Sequence, residues 1–283
     1  MSEGTLSAVI ASNSDTVQAK PPKCNICDGP SALLSRATVL GRHEVSYFRC
    51  TNCGFTYPEA PYWLEEAYQR PILDIDIGPV NRCFQTSEMT WALLLTLFSS
   101  WGRYVDYGGG HGMFVRRMRD LGFDFRYYDR YPSNMFARGF EAIDRSGYEL
   151  LTAFEVFEHL VDPMEGIREM LQFSPSIFFS TMLLPDSLPK PGEWWYYLLD
   201  HGQHVSLYTR RSLAVVAERC HCNLVTDGVL FHLLTPKRIK PAVFRAVIHP
   251  RTRLLIGELG SWLKGIRSRL PDDFAQSAGF RFD

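Results

Sequence analysis

Val105-Asp106-Tyr107-Gly108-Gly109-Gly110-His111-Gly112 is the stretch around which the chain is organised. Trp101 to Tyr104 leads into it as a short buried strand. Beyond it, Phe114, Val115, Met118 and Leu121 recur at helical spacing, and Gly122 ends the run. The stretch reads as strand, glycine turn and helix. Glycines belong where the backbone takes left-handed angles or lets a ligand come close, and a helix N-terminus leaves N–H groups without partners. The glycines fall at Gly108, Gly110 and Gly112, unlike the G-x-G-x-x-G of dinucleotide sites.

Downstream, Asp124 to Asp129 reads as a second strand ending in an acid. Asp129 lies 17 residues after Gly112. In a doubly wound sheet, that places a carboxylate beside the glycine turn, where it can accept both hydroxyls of a ribose. Asn81 to Ser99 reads as one long helix. A third strand belongs between Ala137 and Asp144, a fourth begins at Tyr148, and a fifth covers Ile177 to Met182. A helix follows over Thr209 to Cys220. Asn223 to Thr235 makes the closing hairpin.

Near the start, Cys24-x-x-Cys27 and Cys50-x-x-Cys53 are separated by 22 residues. Each pair can turn two thiolates toward one ion, and two pairs close a tetrahedral site of the structural zinc type. Ala37 to Phe48 reads as two short strands around Gly41-Arg42, so the segment looks like a zinc ribbon. A unit of about 40 residues has little core, and the metal supplies much of its stability. Cys83, Cys220 and Cys222 lack such pairing and read as partly buried thiols.

Length allows one large domain and a small one. A net charge of −1 and a pI near 6.7 argue against broad nucleic-acid binding. Met1 to Lys20 carries no basic leader, and no apolar run reaches 18 residues, so a cytoplasmic enzyme is expected. The expected division is a disordered tail at 1–20, a zinc ribbon at 21–60, a catalytic domain at 61–236 and a basic amphipathic helical segment at 237–283. That last segment has nine Lys/Arg against one acid between Lys237 and Arg269. It can pack on the body or touch the inner membrane face peripherally.

The order acid-x-G-x-G-x-G, from Asp106 to Gly112, resembles motif I of the class I S-adenosylmethionine (SAM) methyltransferases. Asp129 matches the acid of the family's second motif. Glu155-Val156-Phe157-Glu158-His159-Leu160-Val161-Asp162-Pro163 resembles its strand-four signature. The resemblance spans roughly residues 80–235. It implies a Rossmann-like α/β fold with a mostly parallel seven-stranded sheet whose last strand is antiparallel. It also implies SAM held by Asp106, Tyr107, Gly108, Gly110, Gly112, Asp129, Phe154 and Glu155, with Asp106 reaching the methionine amino group and Arg130 and Tyr131 bordering the adenine.

Gly202-Gln203-His204 through Tyr208 is similar to a segment of sugar and cell-envelope glycan methyltransferases, including zinc-ribbon sugar C-methyltransferases. There His204 matches a histidine tied to proton removal. Gln203 stands where some relatives have Glu, and the chain is too short for the further C-terminal domain of the C-methyltransferases, so O- and N-methylation stay open. His204 is the first candidate base, with His159 and His201 behind it. Some of Trp194, Trp195, Tyr196 and Tyr197 should line a cleft for a sugar or flat ring. The expected acceptor is a sugar, glycan or other small hydroxylated molecule. The rivals are an RNA methyltransferase and a non-catalytic SAM-binding scaffold whose ribbon recruits a partner.

Overall fold

The structure is a computed structural model that describes residues 22–69, 77–131 and 133–278. The expected tail at 1–20 lies outside the described residues.

A three-stranded antiparallel sheet comes first: β1 (Ser31–Val39), β2 (His43–Cys50) and β3 (Thr56–Pro58). β1 and β2 pair from Val39↔His43 to Ser31↔Cys50 around the turn at Leu40, Gly41 and Arg42. Leu40 and Gly41 both have positive φ there. α1 is a single turn, Leu64–Ala67.

α2 (Pro79–Thr96) then leads to the central sheet of β4 (Arg103–Tyr107), β5 (Asp124–Tyr128), β6 (Leu150–Ala153), β7 (Ile177–Ser180), β8 (Asn223–Thr226) and β9 (Phe231–Thr235). Its order is β5-β4-β6-β7-β9-β8. The first four strands are parallel, and β9 runs antiparallel between β7 and β8. The sheet is Rossmann-like, and the antiparallel last strand is where it was expected. β4 has β5 on one side and β6 on the other, so its C-terminal end is the topological switch point where such sheets hold ligands.

One expected strand is reduced to a remnant. Within 137–144, Glu141 makes a single parallel bridge to Tyr127, flanked by backbone hydrogen bonds from Tyr127 to Phe140 and from Ala142 to Tyr127. Gly139 and Gly147 both have positive φ, and Asp144-Arg145-Ser146 offers no alternating apolar face. The expected seven-stranded sheet therefore has six strands among the described residues.

Helices cover both faces. α4 (Pro163–Phe173) and α5 (Arg210–Arg219) enclose one apolar cluster with Leu151, Phe157 and Phe179. α2, α3 (Met113–Asp120) and α6 (Pro241–Ile248) enclose another with Tyr104, Phe125 and Phe178. The first cluster also contains Cys24, Ile26, Cys50 and Phe55, so the N-terminal sheet shares its core with the main sheet. Thr209 joins the two. Its hydroxyl accepts from Ser212 N in the capping box of α5 and donates to the Cys53 carbonyl at 2.7 Å. Thr56 and Leu207 pair as a bridge across the same seam. A third cluster packs Val39, Tyr47 and Trp63 against Tyr196 and Tyr197.

The C-terminal segment forms α6, α7 (Pro250–Lys264) and α8 (Leu270–Ala278). α7 lies close on α2: a Cβ on Gly257 would come within 2.5 Å of the Trp91 ring, and Arg253 pairs with Glu88 at 2.9 Å. Asp273 of α8 binds the buried Arg119 of α3 through both oxygens, at 2.8 and 2.6 Å. Phe244, Val247 and Ile248 are buried, whereas Leu255, Leu259 and Trp262 face outward. Among the described residues, no helix is long and apolar enough to cross a membrane.

Candidate functional site

Two groups of ligating side chains stand out. The first is Cys24, Cys27, Cys50 and Cys53, whose sulfurs all lie within 4.8 Å of one another. Cys24 and Cys53 are 3.6 Å apart, and Cys27 and Cys50 are 3.3 Å apart. Thiolates bonded to one tetrahedral zinc at about 2.3 Å sit roughly 3.8 Å from each other, so this donor set fits such an ion. Asp28 and Gly54, both with positive φ, close the two knuckles. The N–H groups of Ile26 and Cys53 point at the Cys24 and Cys50 sulfurs, at 3.4 and 3.3 Å. Hydrogen bonding with Cys53 holds the Cys24 thiol below its ordinary pKa. A metal here has four protein ligands and no open position. It would stabilise the fold and do no chemistry.

The second, Glu158, His159 and His204, touches through His159 a cleft of about 880 Å³ at the C-terminal ends of β4, β5 and β6. That size suits a ligand of SAM's class. Gly108, Gly110 and Gly112 all take left-handed φ, at 72°, 55° and 85°. A Cβ on Gly108 would come within 2.6 Å of Val156, while one on Gly110 would meet nothing. Glycine is needed at the first for close packing, and at the second the N–H donates to Asp129 while the carbonyl accepts from Tyr127. Gly112 is the N-cap of α3.

Asp129 follows β5 directly and lines the cleft. Its two oxygens accept from Gly110 N and Tyr131 N, both at 2.9 Å. The carboxylate is thereby fixed in direction, and each oxygen keeps a lone pair. Tyr107, Gly108, Glu155, Arg130 and Tyr131 line the same cleft. Glu155 has φ 56°, uncommon for a residue with a side chain. Ser180 holds it on both sides, accepting from Glu155 N at 2.9 Å and donating to its carboxylate at 2.7 Å.

Of the expected ligand contacts, Gly110 and Gly112 do not border the cleft, and two more stand elsewhere. Asp106 is buried beneath the loop, where Thr152 donates to it at 2.6 Å and a Cβ on Gly109 would come within 3.0 Å of its carboxylate. Burial pushes its carboxyl up to about 7, Thr152 opposes that shift, and the charge of Asp129 adds to it. Asp106 supports the loop from below and does not line the cleft. Phe154 packs into the core against Phe114 and Phe178, because its position on the strand end points it to the α3 face. None of Trp194, Trp195, Tyr196 and Tyr197 borders the cleft. Tyr196 and Tyr197 are buried at the seam with the N-terminal sheet, where Tyr197 meets Tyr47 edge-on.

The histidines separate clearly. His159 lines the cleft, whereas His204 is 6% exposed and sits edge-on to His159, with ring centres 5.0 Å apart. Nδ1 of His159 faces the Gln203 carbonyl at 3.1 Å and the Tyr68 hydroxyl at 3.2 Å, and Nδ1 of His204 faces the Tyr196 carbonyl at 2.7 Å. A carbonyl can only accept, so each Nδ1 carries the proton and each Nε2 the lone pair. Burial lowers His159 to about 4, and burial with the neighbouring His159 lowers His204 to about 3. Both are neutral near pH 7. His201 is half-buried nearby and does not line the cleft.

Glu158 is fully buried, and neither carboxylate oxygen has a hydrogen-bond partner. Burial pushes it up to about 8, and the charge of Glu155 adds to this. The hydroxyls of Tyr196 and Thr181 face it without reaching hydrogen-bond geometry. Glu169 was missed. It closes the cleft wall by accepting from Tyr107 at 3.0 Å and pairing with Arg130 at 2.5 Å. A lone Glu within α4 carries no sequence signal of that role.

A methyltransferase domain model matches residues 85–226. Among solved structures, TnmH is 16% identical, with 62% of this chain covering 61% of that one and a TM-score of 0.43. Magnesium protoporphyrin IX methyltransferase from Synechocystis PCC 6803, with bound SAH, is 12% identical over 62% of this chain and 95% of its own, with a TM-score of 0.42. OxaC with sinefungin and meleagrin is 17% identical over 48% and 43%, with a TM-score of 0.37. The chain thus spans about three fifths of TnmH. No curated protein sequence matches.

Proposed function

Because the chain belongs to the methyltransferase-domain family matched over 85–226, we propose that it transfers a methyl group from SAM to a hydroxyl of a sugar, glycan or other small polar acceptor. The observation that carries this reading is Asp129, fixed by the N–H groups of Gly110 and Tyr131 beside Gly108 at the switch point. Its two outward lone pairs suit the two hydroxyls of a ribose. The backbone of Gly108, which borders the cleft, suits the amino-acid tail. Tyr131 and Arg130 border the space left for a base. When bound, SAM supplies an electrophilic sulfonium methyl.

The residues of the chain have mainly to align the acceptor with that methyl and exclude water. The groups placed to handle the acceptor's proton are His159 at the cleft surface, His204 behind it and Glu158 beside both. A zinc held by Cys24, Cys27, Cys50 and Cys53 would stiffen the N-terminal sheet, whose β3 pairs with Leu207 just beyond His204.

A small polar acceptor fits the lining better than RNA does. Glu65, Asp129, Glu155, Asp162, Glu165 and Glu169 face the cleft against one arginine, Arg130. Such a rim repels a polyphosphate and can accept from many hydroxyls. The test is a screen of tritiated methyl transfer across nucleotide sugars, free glycans and small hydroxylated molecules, with RNA as a further arm. Label on a hydroxylated small molecule is expected. Label on RNA alone would overturn the acceptor assignment.

A further inference from the structure

We propose that Glu158, His159 and His204 bind a divalent first-row transition-metal ion, forming a second metal site that opens on the acceptor side of the cleft. One donor atom from each of the three lies within 4.8 Å of the others. Donors bonded to one ion at about 2.0–2.1 Å sit roughly 3.0–3.4 Å apart, so the three need to close by at most roughly 1.8 Å. Both imidazoles give Nδ1 to a backbone carbonyl, Gln203 for His159 and Tyr196 for His204, which leaves the Nε2 lone pairs for an ion. A metal-binding histidine usually donates its second nitrogen in this way, which fixes its ring.

The independent observation is the carboxylate. Glu158 is 0% exposed and both its oxygens lack partners. A buried carboxyl with no donor in hydrogen-bond geometry is costly, and a cation that displaces its proton and binds both oxygens' lone pairs removes that cost. Two imidazoles and a carboxylate select zinc, iron, manganese or cobalt over calcium or magnesium. Three protein ligands leave positions open, as in catalytic and not structural sites. The cleft reaches the site through His159, the one of the three that lines it.

The consequence rests on the proposed methyl transfer; the binding does not. An acceptor hydroxyl ligated to the ion is acidified. With the two imidazoles and Glu158 committed to the ion, none of them takes the proton; the O–H bond breaks and the proton passes instead to the cleft carboxylate Glu155. The oxygen's lone pair then forms the bond to the methyl carbon as the carbon–sulfur bond breaks, leaving a neutral thioether.

The test titrates Co²⁺ into the full-length protein with zinc already in the cysteine site. One further equivalent is expected, with weak visible ligand-field bands and no sulfur-to-cobalt charge transfer. His204→Ala and Glu158→Gln should each weaken that equivalent at least ~100-fold, while His201→Ala should not. If Glu158→Gln does not fold by circular dichroism, His159→Ala at the cleft surface decides. No second equivalent in the wild type, equal binding in the variants, or a sulfur charge-transfer band would overturn the site. Calorimetry with S-adenosylhomocysteine on the same samples separates the two readings. Cobalt without nucleoside binding sinks methyl transfer alone, and nucleoside without cobalt sinks the metal site alone.

Discussion

The cysteine cluster and the Glu158–His159–His204 cluster differ in how each is assembled. The four cysteines come in two tight turns only 22 residues apart, and they close on one another. The second cluster joins the turn after β6 to a loop 45 residues later, and it opens on the cleft. The first is complete without any ligand; the second holds a buried carboxylate without a partner. A closed site adds stability and an open one keeps capacity for chemistry, so disturbing each should have different consequences.

The largest effect is expected at the closed site. Cys50→Ser removes a ligand that also sits in the shared core, and unfolding by denaturant should show a loss of at least about 4 kcal/mol. Chelation of the metal should lower the melting temperature in the same sense. If the variant unfolds like wild type, the N-terminal sheet stands without a metal and the contrast between the clusters disappears.

Next comes the ligand grip. Asp129→Ala should weaken S-adenosylhomocysteine by roughly 10- to 100-fold, about 1.5–3 kcal/mol for hydrogen bonds to a charged group, with stability little changed. Equal weakening of folding and binding would mean that Asp129 serves the loop more than the ligand.

A smaller effect depends on pH. The Asp106 carboxyl is held up at about 7 from its ordinary 3.8. The folded chain therefore binds that proton more tightly than the unfolded chain does. Its contribution to stability is fully present below the unfolded pKa and is lost as pH rises through about 7. Asp106→Asn should remove that loss and gain stability relative to wild type by roughly 1–3 kcal/mol between about pH 4 and pH 8. A constant difference across that range would show that the carboxyl is not protonated in the fold. Least of all should change at Trp262, which is 77% exposed on α7. Trp262→Ser is expected to alter stability by less than about 0.5 kcal/mol.

The same contrast explains what was legible in the residues. Local patterns were readable because their physics is local. The glycine spacing, the acid after β5 and the paired cysteines each act within a turn or a strand end. Side-chain direction was harder. Asp106 and Phe154 were placed near the ligand by position, yet one points under the loop and the other into the α3 face. Some of the aromatics at 194–197 were expected at a cleft; instead Tyr196 and Tyr197 fill the seam between the two sheets with Trp194 packed against them, while Trp195 is exposed, a burial that depends on where the N-terminal sheet docks. The third strand shrank to the bridge at Glu141, since a glycine-flanked polar segment cannot supply a strand's buried face. Glu158 carried no outward sign of its isolation, because an unpartnered carboxylate is a property of the packed interior.

The most direct test is titration calorimetry of the zinc-loaded protein with S-adenosylhomocysteine. One nucleoside per chain is expected, with the heat lost or strongly reduced in Asp129→Ala. No heat in a folded, zinc-loaded wild type would contradict a nucleoside site at the ends of β4 and β5.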